Sequence, residues 1–147
     1  MPVLNEPKTK PLITGFHLLA VPGGLAVNSE VVMDANEGIV VFITAANSEE
    51  AARLADLLLE RRLAACVQIL PEMESVYRWQ GKIERQQEVL LIAKTIKSRF
   101  DELESNVRAI HSYETPEIVA LPLEAGSPPY LEWLNSSVSV EAEARDT

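Results

Sequence analysis

Short runs of β-branched apolar residues alternate with helical patterns along most of this chain, and this alternation limits the folds open to it. The first run, residues 39–45, is typical of a strand buried on both faces. Asn47 then predicts the cap of a helix, with Glu50 as its capping-box partner. The apolar stripe of that helix recurs with helical spacing at Ala51, Leu54, Ala55 and Leu58.

Extended chain is predicted next. Residues 64–70 indicate a second strand, which we expect Pro71 to end because proline offers no N–H to a strand ladder. Residues 74–95 indicate a long hairpin that turns at Gly81 and returns through an apolar strand.

Two further helices and a last strand complete the pattern. Ser98 is expected to cap the second helix, with Asp101 as its capping-box analogue, above an apolar stripe of Phe100, Leu103, Val107 and Ile110. Residues 117–123 predict the last strand. Ser127 and Pro128 predict the start of a short final helix that buries Tyr130, Leu131 and Leu134.

The order of elements is therefore strand, helix, strand, strand, helix, strand and one extra helix. It predicts an α+β domain of the split βαβ kind over residues 38–138, an antiparallel four-stranded sheet with two helices on one face and an extra C-terminal helix. The other sheet face and the edges are left open. Because the hairpin carries the apolar side chains of Val76, Val89, Leu91 and Ala93, we expect self-association to cover them.

The two ends of the chain differ from this domain. Residues 1–37 contain several prolines and no sustained period, so they predict a flexible N-terminal extension, and residues 139–147 predict an acidic tail. The apolar residues within this extension are interrupted, which argues against a helix that spans a membrane. The predicted location is cytoplasmic; the alternative is export or an organelle if residues 1–30 are a targeting segment. Either Met1 or Met33 would serve as a start, and the sequence leaves that choice open.

Composition excludes several classes of function. A net charge of −9 argues against nucleic-acid and anionic-membrane partners, which need clustered basic residues. The basic pair Arg61 and Arg62 ends a helix, where the helix dipole explains it. The single cysteine, Cys66, rules out a disulfide framework within the chain. No motif places a nucleophile beside a base, so we do not expect an enzyme.

Several unusual polar and aromatic segments occur inside the strand and helix pattern. They are Leu63-Ala64-Ala65-Cys66-Val67, Ser75-Val76-Tyr77-Arg78-Trp79-Gln80-Gly81-Lys82-Ile83, Lys94-Thr95, His111-Ser112-Tyr113-Glu114-Thr115-Pro116-Glu117-Ile118 and Tyr130-Leu131-Glu132-Trp133-Leu134. In order and spacing they resemble the CutA divalent-cation tolerance family over residues 38–137. The resemblance implies a ferredoxin-like fold and a homotrimer in which edge strands and the long hairpin reach neighbouring subunits.

The same segments supply the candidate site residues. His111 is a candidate imidazole ligand for copper or a similar divalent ion, and Cys66 a candidate thiolate. The alternatives are a helix-end histidine that stabilises a turn, and a thiol that packs as a small hydrophobic group. A small anionic or aromatic ligand in a cleft between subunits would meet a set of aromatic and charged side chains, namely Tyr77, Trp79, Lys94, Tyr113 and Glu114.

The sequence departs from the copper-binding members that it resembles. Those members have a cysteine in the first strand and a second histidine before the one matched by His111, where this chain has Ile43 and Ile110. Ser112 replaces a proline that is usual in the family. One imidazole per chain is too few for a tight site, since divalent ions usually take three or four protein ligands. We therefore expect weak binding or ligands shared between subunits, and no obligatory cofactor.

Three functions fit these observations. The first is a trimeric divalent-cation tolerance protein that binds copper or a similar metal ion weakly and takes part in the response to metal ions. The second is a trimeric sensor of a small ligand. The third is a structural trimer that anchors a protein partner through residues 1–37.

Overall fold

The structure, a computed structural model, describes residues 37–139. In chain order its elements are β1 (Gly38–Ala45), α1 (Ser48–Glu60), β2 (Cys66–Trp79), β3 (Lys82–Ile96), α2 (Phe100–Ile110), β4 (Ile118–Pro122) and α3 (Pro128–Val138). This order confirms the predicted α+β, split βαβ arrangement with an extra C-terminal helix. The predictions for residues 1–36 and 140–147 lie outside the described part of the chain.

The four strands form one antiparallel sheet in the order β2, β3, β1, β4. Alternate residues of β1 face the two helices α1 and α2, because successive side chains of a strand point to opposite faces. The core lies between this face and the helices, where Val41, Ile43, Leu54, Leu91 and Leu103 are fully buried. The predicted stripe of α1 is confirmed, since all four of its residues are buried.

The N-terminus of α1 is capped as predicted on one side only. The Asn47 side chain accepts a hydrogen bond from the Glu50 N–H at 2.9 Å. A capping box would return the Glu50 carboxylate to the N–H of Asn47, but Oε1 accepts from the N–H of Ala46 at 3.2 Å instead. The carboxylate is free to do so because it points inward, with Glu50 only 2% exposed.

The prediction that Pro71 ends its strand is wrong. β2 continues to Trp79 and pairs with β3 along nearly its whole length, apart from a register shift between Leu70 and Met73. Glu72, with φ of 57°, absorbs the irregularity. β2 is an edge strand, and Pro71 falls within the register shift, where the ladder with β3 is already interrupted, so its missing N–H is tolerated.

The turn of the hairpin agrees with the sequence. Trp79 pairs with Lys82, which leaves Gln80 and Gly81 as a two-residue loop. Both loop residues have positive φ, 48° and 79°, as a type I′ turn requires. The hairpin arms therefore follow the right-handed twist of the sheet.

The starts and stripes of the later helices differ from the predictions. Ser98 lies inside a 3-10 turn, Lys97–Arg99, and α2 begins after it with no side-chain cap. Ile110 is 47% exposed at the end of α2, and Tyr130 is 39% exposed on α3, whereas Val138 is buried. The last strand begins one residue later than predicted and ends one residue earlier, at Pro122.

Side chains of the sheet face opposite α1 and α2, which we call the outer face, form a second apolar surface. Cross-strand register places Val40, Phe42, Leu90, Ile92 and Leu121 on it. The prediction that Val89, Leu91 and Ala93 lie on the open face is wrong, because these three are buried in the core. α3 covers one end of the outer face, since Leu134 lies against Gly38 there. The rest of the outer face has no helix over it among the described residues.

We expect Asn47→Ala to lower the free energy of unfolding by about 1 kcal/mol, because it removes the one side-chain cap of α1. Urea denaturation at a fixed protein concentration measures the change. The control is Ser48→Ala, which alters an exposed neighbour and should stay within about 0.5 kcal/mol of the parent. Equal losses in the two variants would contradict a specific role for the cap.

Candidate functional site

A cleft of about 640 Å³ lies between the β2 and β3 hairpin and the segment that follows α2. Its lining comprises Thr44, Ser75, Val76, Tyr77, Trp79, Gln86, Glu88, Tyr113, Glu114, Thr115 and Glu117. Four of the residues singled out from the sequence, Tyr77, Trp79, Tyr113 and Glu114, line this one cleft. Gln86 and Glu88 were not predicted as site residues, because their positions on β3 carry no motif. Glu117 lies in one of the family-like segments but was not singled out within it.

A series of hydrogen bonds crosses the cleft from the hairpin to the loop. The Tyr77 hydroxyl donates to Gln86 Oε1 at 2.8 Å, and Gln86 Nε2 donates to the Tyr113 hydroxyl at 3.1 Å. Burial, together with a hydrogen bond to Glu88, raises the pKa of Tyr113 to about 12. The Tyr113 hydroxyl therefore keeps its proton at neutral pH, beside the Glu88 carboxylate.

His111 lies directly behind the cleft, with its side chain fully buried. Its Nδ1 accepts a hydrogen bond from the N–H of Tyr113 at 2.9 Å, so the ring proton is on Nε2. Nε2 lies 2.7 Å from the carbonyl oxygen of Thr44 and donates to it. Both ring nitrogens are thus engaged, and the ring packs 5.0 Å from that of Tyr113. This arrangement fixes the first residues of the loop against the end of β1.

The buried carboxylate of Glu50 completes this contact. Oε2 accepts a hydrogen bond from the N–H of Ser112 at 3.0 Å, and Oε1 lies 3.5 Å from His111 Nε2. Burial alone would raise the pKa of Glu50, but the hydrogen bonds from Ser112 and Ala46 and the attraction of His111 lower it below 4.5. The sequence offered one signal, since Glu50 lies four residues before Leu54 and a helix places the two on the same side.

Lys94 and Cys66 lie on the outer face and do not line the cleft. The two residues pair across β2 and β3, and the Lys94 ammonium donates to the Gln68 side chain. The Cys66 sulfur lies 3.6 Å from the Tyr130 hydroxyl. Burial is the main cause that raises the pKa of Tyr130 to about 12, and the hydrogen bond with Cys66 adds to it. The structure therefore joins Cys66 to α3, away from Tyr77 and Trp79.

The two candidate metal ligands do not meet within one chain. Cys66 is in register with Val40 through Lys94, whereas His111 contacts Thr44, four residues further along β1. At about 3.3 Å per strand residue the two positions are offset by about 13 Å along the strand direction, and β3 separates β2 from β1 laterally as well. Within residues 37–139 no three His, Cys, Asp or Glu side chains are placed to hold a metal ion.

Comparison with known proteins agrees with this fold and these segments. A family model described as CutA1 divalent ion tolerance protein matches residues 39–137. The chain belongs to this family. The Divalent-cation tolerance protein CutA of Thermus thermophilus is 48% identical over 98 residues, which make up 67% of this chain and 95% of that protein. Protein CutA 1, chloroplastic, of Oryza sativa is 48% identical over 99 residues.

Solved structures of the CutA1 family have the same fold. The crystal structure of CutA1 from Oryza sativa matches with a TM-score of 0.69 and 46% identity over 71% of this chain and 95% of that chain. The divalent cation tolerance protein from Thermus thermophilus matches with a TM-score of 0.68 and 46% identity over 69% of this chain and 99% of that chain. The chain spans only about half of the plant relatives' own sequences, 56% for Oryza sativa and 54% for Arabidopsis thaliana.

We expect Glu50→Gln to lower the free energy of unfolding by about 1–3 kcal/mol at neutral pH, because the amide nitrogen would face a buried N–H donor. A carboxyl whose pKa is lowered by folding stabilises the protein above its unfolded pKa and loses that contribution as pH falls. The difference between parent and variant should therefore shrink as pH falls below 4.5. Chemical denaturation across this pH range measures it.

The matched control for this prediction is Glu49→Gln, which alters the exposed neighbour in the same helical turn. We expect it to change the free energy of unfolding by less than about 0.5 kcal/mol at neutral pH. A difference between parent and Glu50→Gln that stays constant from neutral pH to well below 4.5 would contradict the role of the ionised carboxylate.

Proposed function

We propose that this CutA1 family member is a homotrimer that binds divalent metal ions, copper foremost, weakly in a cleft shared between subunits. The observation that carries the proposal is the charge of the cleft, whose lining includes Glu88, Glu114 and Glu117 and no basic residue. Such a lining attracts cations. The names of the relatives, divalent-cation tolerance protein among them, agree with this choice.

Assembly into a trimer is supported by the outer face. Leu70, Val119 and Leu121 are 45%, 48% and 56% exposed there, beside the half-buried Phe42 and Ile92. Apolar patches of this kind mark association surfaces, and β2 and β4 also offer unpaired strand edges. Cyclic closure of three subunits would cover both.

Weak metal affinity follows from the state of His111. Coordination by Nδ1 would displace the N–H of Tyr113, and coordination by Nε2 would break the bond to Thr44. The energy of the broken hydrogen bond is subtracted from the energy of coordination. Cys66 would join such a site only from a neighbouring subunit. Copper is favoured because it heads the affinity order of the divalent ions for nitrogen ligands.

A second candidate function is that of a small-ligand sensor. The specific observation in its favour is the cleft itself, whose volume of about 640 Å³ is that of a typical ligand site and whose wall includes Tyr77, Trp79 and Tyr113. Either function is binding and not catalysis, which agrees with the engagement of both nitrogens of His111.

The cellular setting is part of the proposal. We propose a cytoplasmic location; the relatives differ, since the plant proteins are described as chloroplastic and the Archaeoglobus fulgidus structure as periplasmic. Among the described residues, no helix has the length and apolar character needed to cross a membrane. Anchoring of a protein partner through residues 1–37 involves a segment outside the described part of the chain, apart from residue 37.

For assembly, we expect light scattering at micromolar concentration to give three times the chain mass. Leu121→Lys should dissociate the trimer, because it places a charge on the outer face. The control is Leu59→Lys, since Leu59 is similarly exposed, at 44%, but lies on α1. A monodisperse monomer for the parent would contradict the proposal, as would dissociation by the control alone.

For metal binding, we expect calorimetry with Cu²⁺ to give micromolar or weaker affinity for the trimer. His111→Ala should abolish binding, and Cys66→Ser should leave it unchanged if His111 is the essential ligand. A thermal melt checks that each variant is folded. Undiminished binding by a folded His111→Ala variant would place the ion elsewhere, and loss in Cys66→Ser would show that the thiolate takes part.

A further inference from the structure

We propose that the ligand of the cleft is an organic ammonium ion, held by the Glu88 carboxylate and the rings of Tyr77, Trp79 and Tyr113. The inference rests on the second candidate function, binding of a small ligand in the cleft, and names its chemical class.

The charge of the lining determines the sign of the ligand. Three glutamates line the cleft, and none of the lining residues is lysine, arginine or histidine. Lys94, the cation that sequence analysis assigned to this site, lies on the outer face and donates to Gln68. An anion in the cleft would therefore meet like charge and no compensating cation.

Glu88 is the group that most needs a cationic partner. It is only 8% exposed, and within residues 37–139 the structure gives it no ion pair. A carboxylate removed from water is costly unless charge and hydrogen bonds compensate it. The hydroxyl of Tyr113 supplies one hydrogen bond, whereas an ionised carboxylate has room for about four. The remaining positions face the cleft and suit an ammonium group.

The hydrogen bonds around Glu88 all run in one direction. Tyr77 donates to Gln86, Gln86 donates to Tyr113, and Tyr113 interacts with Glu88. Each donor in such a series polarises the next, which strengthens the bond at the end of the series. The series holds the Tyr113 hydroxyl beside the Glu88 carboxylate at the wall of the cleft.

The aromatic walls favour an ammonium group with an organic body. Tyr77, Trp79 and Tyr113 belong to the lining, and the faces of aromatic rings attract cations. Trp79 is 56% exposed within one chain and lies at the tip of the hairpin, so its ring can cover a ligand in a cleft shared between subunits. A volume of about 640 Å³ also far exceeds the space that a bare ion occupies. An organic cation fills that volume and needs no set of three metal ligands, which the described residues do not bring together.

The test uses three probes that share one body and differ in charge: phenethylammonium, phenethyl alcohol and phenylacetate. Each is titrated into the full-length protein by calorimetry or by ligand-observed NMR. We expect phenethylammonium to bind about tenfold or more tightly than the alcohol, and phenylacetate to bind weakest. Glu88→Gln, which keeps the shape of the side chain, should remove the preference for the ammonium probe.

The matched control is Glu84→Gln, which neutralises an exposed carboxylate on the same strand outside the lining and should keep the preference. Trp79→Leu should weaken binding of the ammonium probe and leave the melting temperature close to that of the parent. Equal affinities for the three probes, or an unchanged preference in Glu88→Gln, would overturn the inference while the cleft remained a ligand site.

Other outcomes separate this inference from the proposed functions. If no probe of any charge binds, both the inference and the small-ligand function are contradicted. If the ammonium preference is found but Cu²⁺ does not bind, the inference stands and the metal proposal is contradicted.

Discussion

The buried carboxylate of Glu50 connects parts of the chain that are far apart in sequence. It accepts hydrogen bonds from the N–H groups of Ala46 and Ser112 and lies beside His111. The Glu50 carboxylate thus accepts hydrogen bonds from N–H groups just after β1 and just after α2. Glu50 itself lies in the first turn of α1. An unpaired carboxylate in this position would be costly, so its partners are as necessary to Glu50 as Glu50 is to them.

The position of the cleft follows from that contact. His111 is bonded to the carbonyl of Thr44 and to the N–H of Tyr113, and these bonds hold the loop after α2 against the sheet. Tyr113 thereby comes within hydrogen-bonding distance of Gln86 on the hairpin. One wall of the cleft is a loop, and its position is fixed by the buried contacts of His111 behind it. A ligand would meet a site organised before it binds, which lowers the cost of ordering on binding.

The two faces of the sheet have different requirements. The face toward α1 and α2 is closed by the core within a single chain. The outer face carries apolar side chains that α3 covers only at one end, through Leu134 and the contact of Tyr130 with Cys66. What remains exposed must be covered by something other than the described residues or stay in contact with water. The apolar surface left exposed on the outer face is the physical reason to propose an assembly.

Local pattern by itself determined β1, the buried stripe of α1, the turn at Gly81 and the order of the elements, because each depends on residues close together in sequence. The tertiary structure alone decided which residues of β3 face the core, since a shift of one residue exchanges the faces of a strand. It also decided that Pro71 is tolerated, because only the sheet order makes β2 an edge.

The residues of the site were recognised through a family resemblance, namely Tyr77, Trp79, Tyr113 and Glu114. Their common cleft, and the exclusion of Lys94 and Cys66 from it, could not be predicted from the sequence. Contacts between segments tens of residues apart are fixed by packing and hydrogen bonding, which local sequence does not record.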